Sequence, residues 1–216
     1  MKRILYLHGF ASGPASKKAR FFAGRLAEMG AALEVPDLSA GNFENLTIGG
    51  QLRVVEEAAR GEAVSLIGSS LGGYLAALYA ARHPEVEKLV LLAPAFCFPT
   101  RWPEVLGPQK MEEWRRTGKL PVFHYGAGAM RDLGLSILEE SRQYEDYPAF
   151  TQPALIFHGS QDDVVPLELS RSFAGAHKNA GLCILNSNHE LIDVLETIWT
   201  RTRTFLFDEL STYESC

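Results

Sequence analysis

One segment of the sequence is more informative than the rest, namely Val64-Ser65-Leu66-Ile67-Gly68-Ser69-Ser70-Leu71-Gly72-Gly73-Tyr74. Its first four residues form a mostly apolar run that predicts a buried strand, and the alanine- and leucine-rich residues 74–82 predict a helix. Between them lies the pattern Gly-x-Ser-x-Gly, in which a tight turn exposes the central serine hydroxyl if the neighbouring residues are small. Three glycines surround Ser70, so the sequence places this hydroxyl at the tip of a strand-to-helix turn.

Short apolar runs alternate with longer segments of helical periodicity on both sides of this turn. The predicted strands lie at 4–7, 32–35, 64–68, 89–92, 154–157 and 182–185. Between them, apolar residues recur every three to four positions; Thr47 is placed to cap one helix and Gly30 to end another. The alternation is typical of βαβ units. It predicts an α/β fold with a doubly wound, mostly parallel sheet of about six strands, in a single domain spanning 1–216.

A long insertion interrupts the alternation, because about fifty residues separate the strand at 89–92 from the strand at 154–157. Prolines punctuate two short helical patterns within it, and its aromatic content is high. The insertion leaves the sheet at the carboxyl end of a strand, where open α/β sheets bind their ligands. Residues 98–150 are therefore predicted to form a lid or cap over a site; the alternative is a surface excursion that covers exposed core.

Ser70 needs a base and an acid to become a nucleophile, because a serine hydroxyl is unreactive near pH 7. Ser69 is a rival nucleophile, but it falls on the strand side of the turn. His189 follows the last predicted strand by four residues, which places it at the same carboxyl edge of the sheet as Ser70. Asp162 and Asp163 follow the preceding strand, and only one of two adjacent side chains is expected to reach His189. The other five histidines are expected to tie loops or to be solvated: His8, His83, His124, His158 and His177.

The glycine-rich turns do not match a phosphate-binding loop. The spacing around Ser70 is not Gly-x-Gly-x-x-Gly, and no Gly-Lys-Ser/Thr follows it. Residues 8–14, after the first strand, contain glycines but no clear phosphate pattern, so a nucleotide-binding flavodoxin-like domain is a weaker alternative. Histidines and carboxylates show no ligand spacing such as His-Glu-x-x-His, so neither a metal nor another cofactor is expected.

Composition and charge argue against several classes of function. The chain has 216 residues, 46% of them hydrophobic, which is enough for one core. With 26 acidic and 21 basic residues its formal charge is -5, so nucleic acid is not an expected partner. No apolar stretch approaches the roughly 18 residues of a spanning helix, and the first residues turn polar before a secretory segment forms. We therefore expect no membrane partner and a cytoplasmic location.

The three cysteines, Cys97, Cys183 and Cys216, lie far apart in the sequence. An odd number at wide spacing is typical neither of a disulfide framework nor of a metal or redox site. Cys97 and Cys183 are expected to be small core residues, and Cys216 an exposed thiol in the tail. A catalytic role for Cys97 is the weaker alternative, because no obvious base surrounds it in the sequence.

Four motifs resemble the α/β-hydrolase superfamily, in its small bacterial serine esterase branch, and together they span nearly the whole chain. They are Leu7-His8-Gly9-Phe10, the turn at 68–72, His158-Gly159-x-x-Asp162-x-x-Val165-Pro166, and Asn188-His189. Serine, aspartate and histidine follow one another along the chain in the order found in this superfamily. The resemblance implies that the sheet lacks the two leading strands of larger members.

Site residues follow from the resemblance by position. It implies a catalytic triad of Ser70, Asp162 and His189, with Asp162 rather than Asp163 as the acid. It also implies that the backbone N–H groups of Phe10 and Leu71 form an oxyanion hole.

The resemblance implies hydrolysis of carboxylic esters with small to medium acyl chains, through an acyl-enzyme on Ser70, with a small-molecule ester as the partner. Cleavage of thioesters, amides or carbon–carbon bonds would use the same residues, and the fold also suits a ligand receptor or binding module without turnover. Four aromatic residues near the lid either line an acyl pocket or fill a small core beneath the lid: Phe96, Phe98, Trp102 and Trp114.

Overall fold

A six-stranded parallel sheet forms the centre of the computed structural model, which describes residues 2–207. The described residues form eight strands, namely β1 (Ile4–Leu7), β2 (Leu33–Glu34), β3 (Val64–Ser69), β4 (Val86–Leu92), β5 (Lys119–His124), β6 (Ala129–Gly134), β7 (Ala154–Gly159) and β8 (Ala180–Leu185). Of these, β5 and β6 make a separate two-stranded sheet. The large sheet has the order β2-β1-β3-β4-β7-β8, and every pairing in it is parallel. The predicted α/β class is confirmed, and each of the six predicted strands is present. The edge strand β2 is shorter than predicted, because it pairs only with Ile4 and Leu5.

Seven α-helices precede, separate or follow the strands within the described residues. They are α1 (Lys17–Glu28), α2 (Ile48–Ala59), α3 (Leu71–Ala80), α4 (Phe98–Thr117), α5 (Ser136–Ser141), α6 (Leu167–Ala176) and α7 (Leu195–Phe207). Thr47 Oγ1 accepts a hydrogen bond from the N–H of Gly50 at 2.9 Å and so caps α2, as its sequence position predicts. Gly30 follows the end of α1 with a φ of 70°, a conformation that favours glycine.

Helices cover both faces of the sheet. On one face, α1 and α7 pack together, and the ring of Phe22 lies 6.0 Å from that of Tyr6 and 6.3 Å from that of Trp199. On the opposite face, α3 is buried along its whole length beside α2. The sheet is therefore doubly wound, and the loops after β3, β7 and β8 leave it at one carboxyl edge.

The insertion after β4 folds as α4, a hairpin of β5 and β6, and α5. Gly107 kinks α4 with a φ of 76° and a ψ of 165°. The hairpin was not predicted, because Pro121 lies inside β5 and proline weakens a strand pattern. The indole N–H of Trp114 donates to the carbonyl of Leu133 at 3.0 Å and so joins α4 to the hairpin. The two parts of the insertion are thus joined by a buried hydrogen bond.

No helix within residues 2–207 is both long and apolar enough to cross a bilayer. In the same part of the chain, histidine, cysteine and carboxylate side chains form no group of three or more that could hold a metal ion. Cys97 and Cys183 are buried. Cys216 lies outside the described residues.

Candidate active site

A tight turn joins β3 to α3 and carries Ser70 at its tip. Ser70 has a φ of 53° and a ψ of -117°, a strained conformation for a residue with a side chain. A Cβ on Gly68 would lie 2.4 Å from the carbonyl oxygen of Gly72, and a Cβ on Gly72 would lie 2.1 Å from that of Leu7. No side chain fits at either position, so the glycines around Ser70 are a packing requirement.

Backbone hydrogen bonds hold Ser70 in this conformation. Its N–H donates to the carbonyl of Leu92 at 2.8 Å, and its own carbonyl accepts from the N–H groups of Gly73 at 2.9 Å and Ala95 at 3.0 Å. The segment that continues β4 therefore fixes the serine from one side, while α3 fixes it from the other.

The strain at Ser70 should lower the free energy of unfolding by a measurable amount. Ser70→Gly is expected to be more stable than Ser70→Ala by about 1–2 kcal/mol, because both variants lack the hydroxyl but only alanine keeps a Cβ at positive φ. Urea denaturation of the two proteins measures the difference. The same pair of substitutions at the exposed Ser160, which does not have a positive φ, is the control and should favour alanine. A difference between the two Ser70 variants that equals the difference at Ser160 would contradict the strain.

His189 lies between Ser70 and Asp162 in a continuous chain of hydrogen bonds. Its Nδ1 is 2.7 Å from Asp162 Oδ2, and its Nε2 is 3.0 Å from Ser70 Oγ. A carboxylate only accepts hydrogen bonds, so Nδ1 carries the proton and the lone pair of Nε2 faces the serine hydroxyl. This is the tautomer in which His189 can take a proton from Ser70.

Asp162 is held by four donors, and its side chain has no exposed surface. Oδ1 accepts from the N–H groups of Val164 at 2.9 Å and Val165 at 2.8 Å, and Oδ2 is also 3.1 Å from His158 Nε2. Burial alone would raise the pKa of Asp162, but hydrogen bonds from His158, His189 and Val165 lower it well below the usual value of an aspartate. The carboxylate therefore stays ionised at neutral pH.

His158 is a contact of Asp162 that sequence reasoning missed. Its Nε2 faces two acceptors, Asp162 Oδ2 and the carbonyl of Val165 at 2.9 Å, so Nε2 carries the proton and Nδ1 accepts from the Ser170 hydroxyl at 2.8 Å. The four-residue spacing of His158 and Asp162 is the only hint in the sequence. Asp163, by contrast, has an exposed side chain.

The loop after β1 passes beside Ser70. A Cβ on Gly9 would lie 3.5 Å from Ser70 Cβ and 3.4 Å from the carbonyl oxygen of Ser69. The N–H of Phe10 follows directly, and the N–H of Leu71 begins α3. Within residues 2–207, no protein group accepts a hydrogen bond from either N–H. These two donors are free to bind an oxygen atom of a ligand.

His8 holds this loop in place, as predicted. Its Nδ1–H donates to the carbonyl of Gly9 at 3.0 Å, and its Nε2 accepts from the N–H of Leu38 at 3.2 Å. Burial lowers the pKa of His8, although the Gly9 carbonyl and Asp37 act in the opposite direction. The neutral form that both hydrogen bonds require is therefore favoured.

The tip of the β5–β6 hairpin rests on the same loop. The N–H of Tyr125 donates to the carbonyl of Ala11 at 2.7 Å, and a Cβ on Gly126 would lie 3.1 Å from the carbonyl oxygen of Ser12. Ala11 itself has a φ of 52°. The insertion thus supports the loop that presents the N–H of Phe10, a link that no sequence pattern indicated.

The four aromatic residues considered for an acyl pocket do not share one environment. Phe96 and Trp114 have no exposed surface and fill the core beneath the insertion, and Phe98 is also buried. Trp102 is half-buried, and its ring lies 5.2 Å from that of Phe10 and 4.9 Å from that of Phe98. Of the four, Trp102 has the most exposed side chain.

Residues 3–206 match the model of a family described as uncharacterised protein family UPF0227. The chain belongs to this family. A search of curated protein sequences gave no match.

Solved structures similar to this UPF0227 chain include several hydrolases. A putative hydrolase from Agrobacterium vitis S4 is 21% identical with a TM-score of 0.81, over 94% of this chain and 87% of the other. The mouse alpha/beta hydrolase domain-containing protein 10 is 24% identical with a TM-score of 0.78, over 96% and 90%. A monoacylglycerol lipase from Paleococcus ferrophilus is 16% identical with a TM-score of 0.74, over 93% and 92%. The α/β-hydrolase fold implied by the sequence motifs is confirmed.

Proposed function

We propose that the protein is a serine hydrolase that cleaves carboxylic esters with small to medium acyl chains through an acyl-enzyme on Ser70. The observation that carries the proposal is the hydrogen-bonded chain from Ser70 Oγ through His189 to Asp162, with the proton of His189 on the side of Asp162. The fold shared with hydrolases, among them a monoacylglycerol lipase, adds support.

In the first half of the reaction, His189 Nε2 takes the proton of Ser70 as Oγ attacks the ester carbonyl carbon. The negative charge that develops on the carbonyl oxygen is stabilised by the N–H groups of Phe10 and Leu71. The tetrahedral intermediate collapses when the bond to the alcohol oxygen breaks, and His189 gives its proton to that oxygen. An acyl group then remains on Ser70.

In the second half, a water molecule replaces the alcohol. His189 takes a proton from the water, whose oxygen attacks the acyl carbon, and the proton is then returned to Ser70 Oγ as the free acid leaves. Asp162 remains ionised throughout and stabilises the positive charge that His189 carries between proton transfers.

The preference for small to medium acyl chains is supported by the packing under the insertion. Phe96 and Trp114 have no exposed surface, so neither side chain leaves room for a long acyl chain in its place, whereas Trp102 and Phe10 are only half-buried and their rings lie 5.2 Å apart. Thioesters, amides and carbon–carbon bonds remain candidates for the same triad.

A fluorophosphonate probe tests the proposal directly. We expect covalent labelling at Ser70, located by mass spectrometry, together with turnover of p-nitrophenyl esters of two to twelve carbons that declines towards the longer chains. Ser70→Ala is the control and should not be labelled. A folded wild-type protein that is neither labelled nor active would contradict the proposal and favour a receptor or binding module.

A further inference from the structure

Lys18 places a cation beside the loop that carries His189. It lies in the first turn of α1, and its Nζ donates to the carbonyl of Glu190 at 2.9 Å. Burial lowers the pKa of Lys18 to about 8, although Glu190 and Asp162 act in the opposite direction. The ammonium group is held by one backbone carbonyl and would be stabilised further by an anion.

Arg101 places a second cation beside the loop that carries Asp162. It lies in the first turn of α4, and its guanidinium donates to the carbonyl of Val164 at 3.3 Å. The N–H of Val164 in turn donates to Asp162 Oδ1. The next residue, Trp102, contacts the ring of Phe10. Arg101 therefore borders the loop that holds Asp162, and its neighbour Trp102 borders the loop of Phe10 that passes beside Ser70.

Neither cation is neutralised by an ion pair. Within residues 2–207, no carboxylate oxygen comes within 4.0 Å of Lys18 Nζ or of the Arg101 guanidinium. Both are instead held by backbone carbonyls, and each keeps further N–H donors for another acceptor. Several other basic side chains do pair with carboxylates, among them Arg3, Arg25, Arg82, Lys119 and Arg171.

We infer that the substrate is an ester whose alcohol part carries a negative charge, and that Lys18 and Arg101 recognise this charge. The inference rests on the proposed function. His189 must give its proton to the departing alcohol oxygen, so the alcohol part lies towards the loops of His189 and Asp162. These are the loops that the two cations border. A carboxylate or a phosphate on the alcohol would serve equally as the anion.

Two acetate esters of nearly equal shape test the inference, one of 3-hydroxybenzoate and one of 3-hydroxybenzamide. The measured quantity is the ratio of kcat/KM for the anionic ester to kcat/KM for the neutral ester, divided by the same ratio for hydrolysis by hydroxide alone. We expect this normalised ratio to exceed one for the wild type, and to fall as sodium chloride screens the charges.

Charge removal should lower the ratio. Lys18→Gln and Arg101→Gln are each expected to reduce it about 2- to 5-fold, the size typical of a partly exposed charge pair, whereas Lys18→Arg should preserve it. Lys17→Gln and Lys110→Gln are the matched controls. Lys17 lies on α1 with Lys18, and Lys110 lies on α4 with Arg101; both are exposed, so removal of either charge should leave the ratio unchanged.

Two results would overturn the inference. The first is a wild-type ratio of one or less. The second is a ratio that Lys18→Gln and Arg101→Gln leave unchanged. This second result includes the case in which a shift of the loops lowers activity equally on both esters. If Lys18→Gln does not fold, the ratio measured for Arg101→Gln alone tests the inference. A wild-type protein that is inactive on both esters and unlabelled by fluorophosphonate would instead refute the proposed function, and this inference with it.

Discussion

Replacing Ser70 by alanine is expected to lower kcat for p-nitrophenyl butyrate by a factor on the order of 10⁴ to 10⁶. Without Oγ there is no nucleophile to form the acyl-enzyme, and His189 has no hydroxyl proton to remove. The fold should survive, because the backbone hydrogen bonds to Leu92 and Ala95 that hold the turn do not involve the side chain. Steady-state kinetics measures the loss, and circular dichroism with thermal melting verifies the fold.

Ser69→Ala is the matched control for this experiment. Ser69 is buried at 3% exposure on the strand side of the turn, and it is not hydrogen-bonded to His189. We expect the variant to retain most of the activity. A Ser70→Ala protein that still turns over the ester, or a Ser69→Ala protein with the greater loss, would show that Ser70 is not the nucleophile.

Replacing Asp162 by asparagine is expected to lower kcat roughly 10⁴-fold, by analogy with the corresponding change in a serine protease. An amide cannot satisfy all four donors around Asp162 in either orientation. With its NH₂ group towards His189, it forces the proton onto Nε2, which then cannot accept from Ser70. With its NH₂ group on the other side, it meets the N–H groups of Val164 and Val165 and leaves them without an acceptor.

Asp163→Asn tests whether the loss of kcat is specific to Asp162. The Asp163 side chain is exposed, so its neutralisation should change kcat less than threefold. A large loss in Asp163→Asn together with an active Asp162→Asn would assign the acid to Asp163.

The six strands of the large sheet could be predicted because a parallel sheet covered on both faces needs continuous apolar runs. The hairpin could not, since β5 alternates exposed and half-buried residues and contains Pro121. Its stability comes from contacts such as that of Trp114 with Leu133, and such contacts have no local pattern.

The site was predictable where topology alone decides it. Ser70 and His189 follow parallel strands of one sheet, so their meeting at one edge follows from strand order. Spacing could not distinguish Asp162 from Asp163. Adjacent side chains point in different directions, and the sequence does not show which of the two directions faces His189. The contact of Lys18 with the Glu190 carbonyl joins residues 172 positions apart and depends on how α1 packs against the loop after β8.

The all-parallel sheet has a consequence for how this protein reaches its native state. In parallel pairing, even neighbouring strands are distant along the chain: Ile4 aligns with Ser65, and Leu89 aligns with Ala154. Ser70 and His189 are 119 positions apart. Such contacts close long loops, whose entropy must be lost before packing compensates, so folding should be slow compared with that of a helical bundle of equal length. During synthesis, the chain cannot bring Ser70 and His189 together until β8 and the loop after it have emerged. Recovery of the proposed hydrolase activity after dilution from denaturant would therefore report the last step of folding rather than the first.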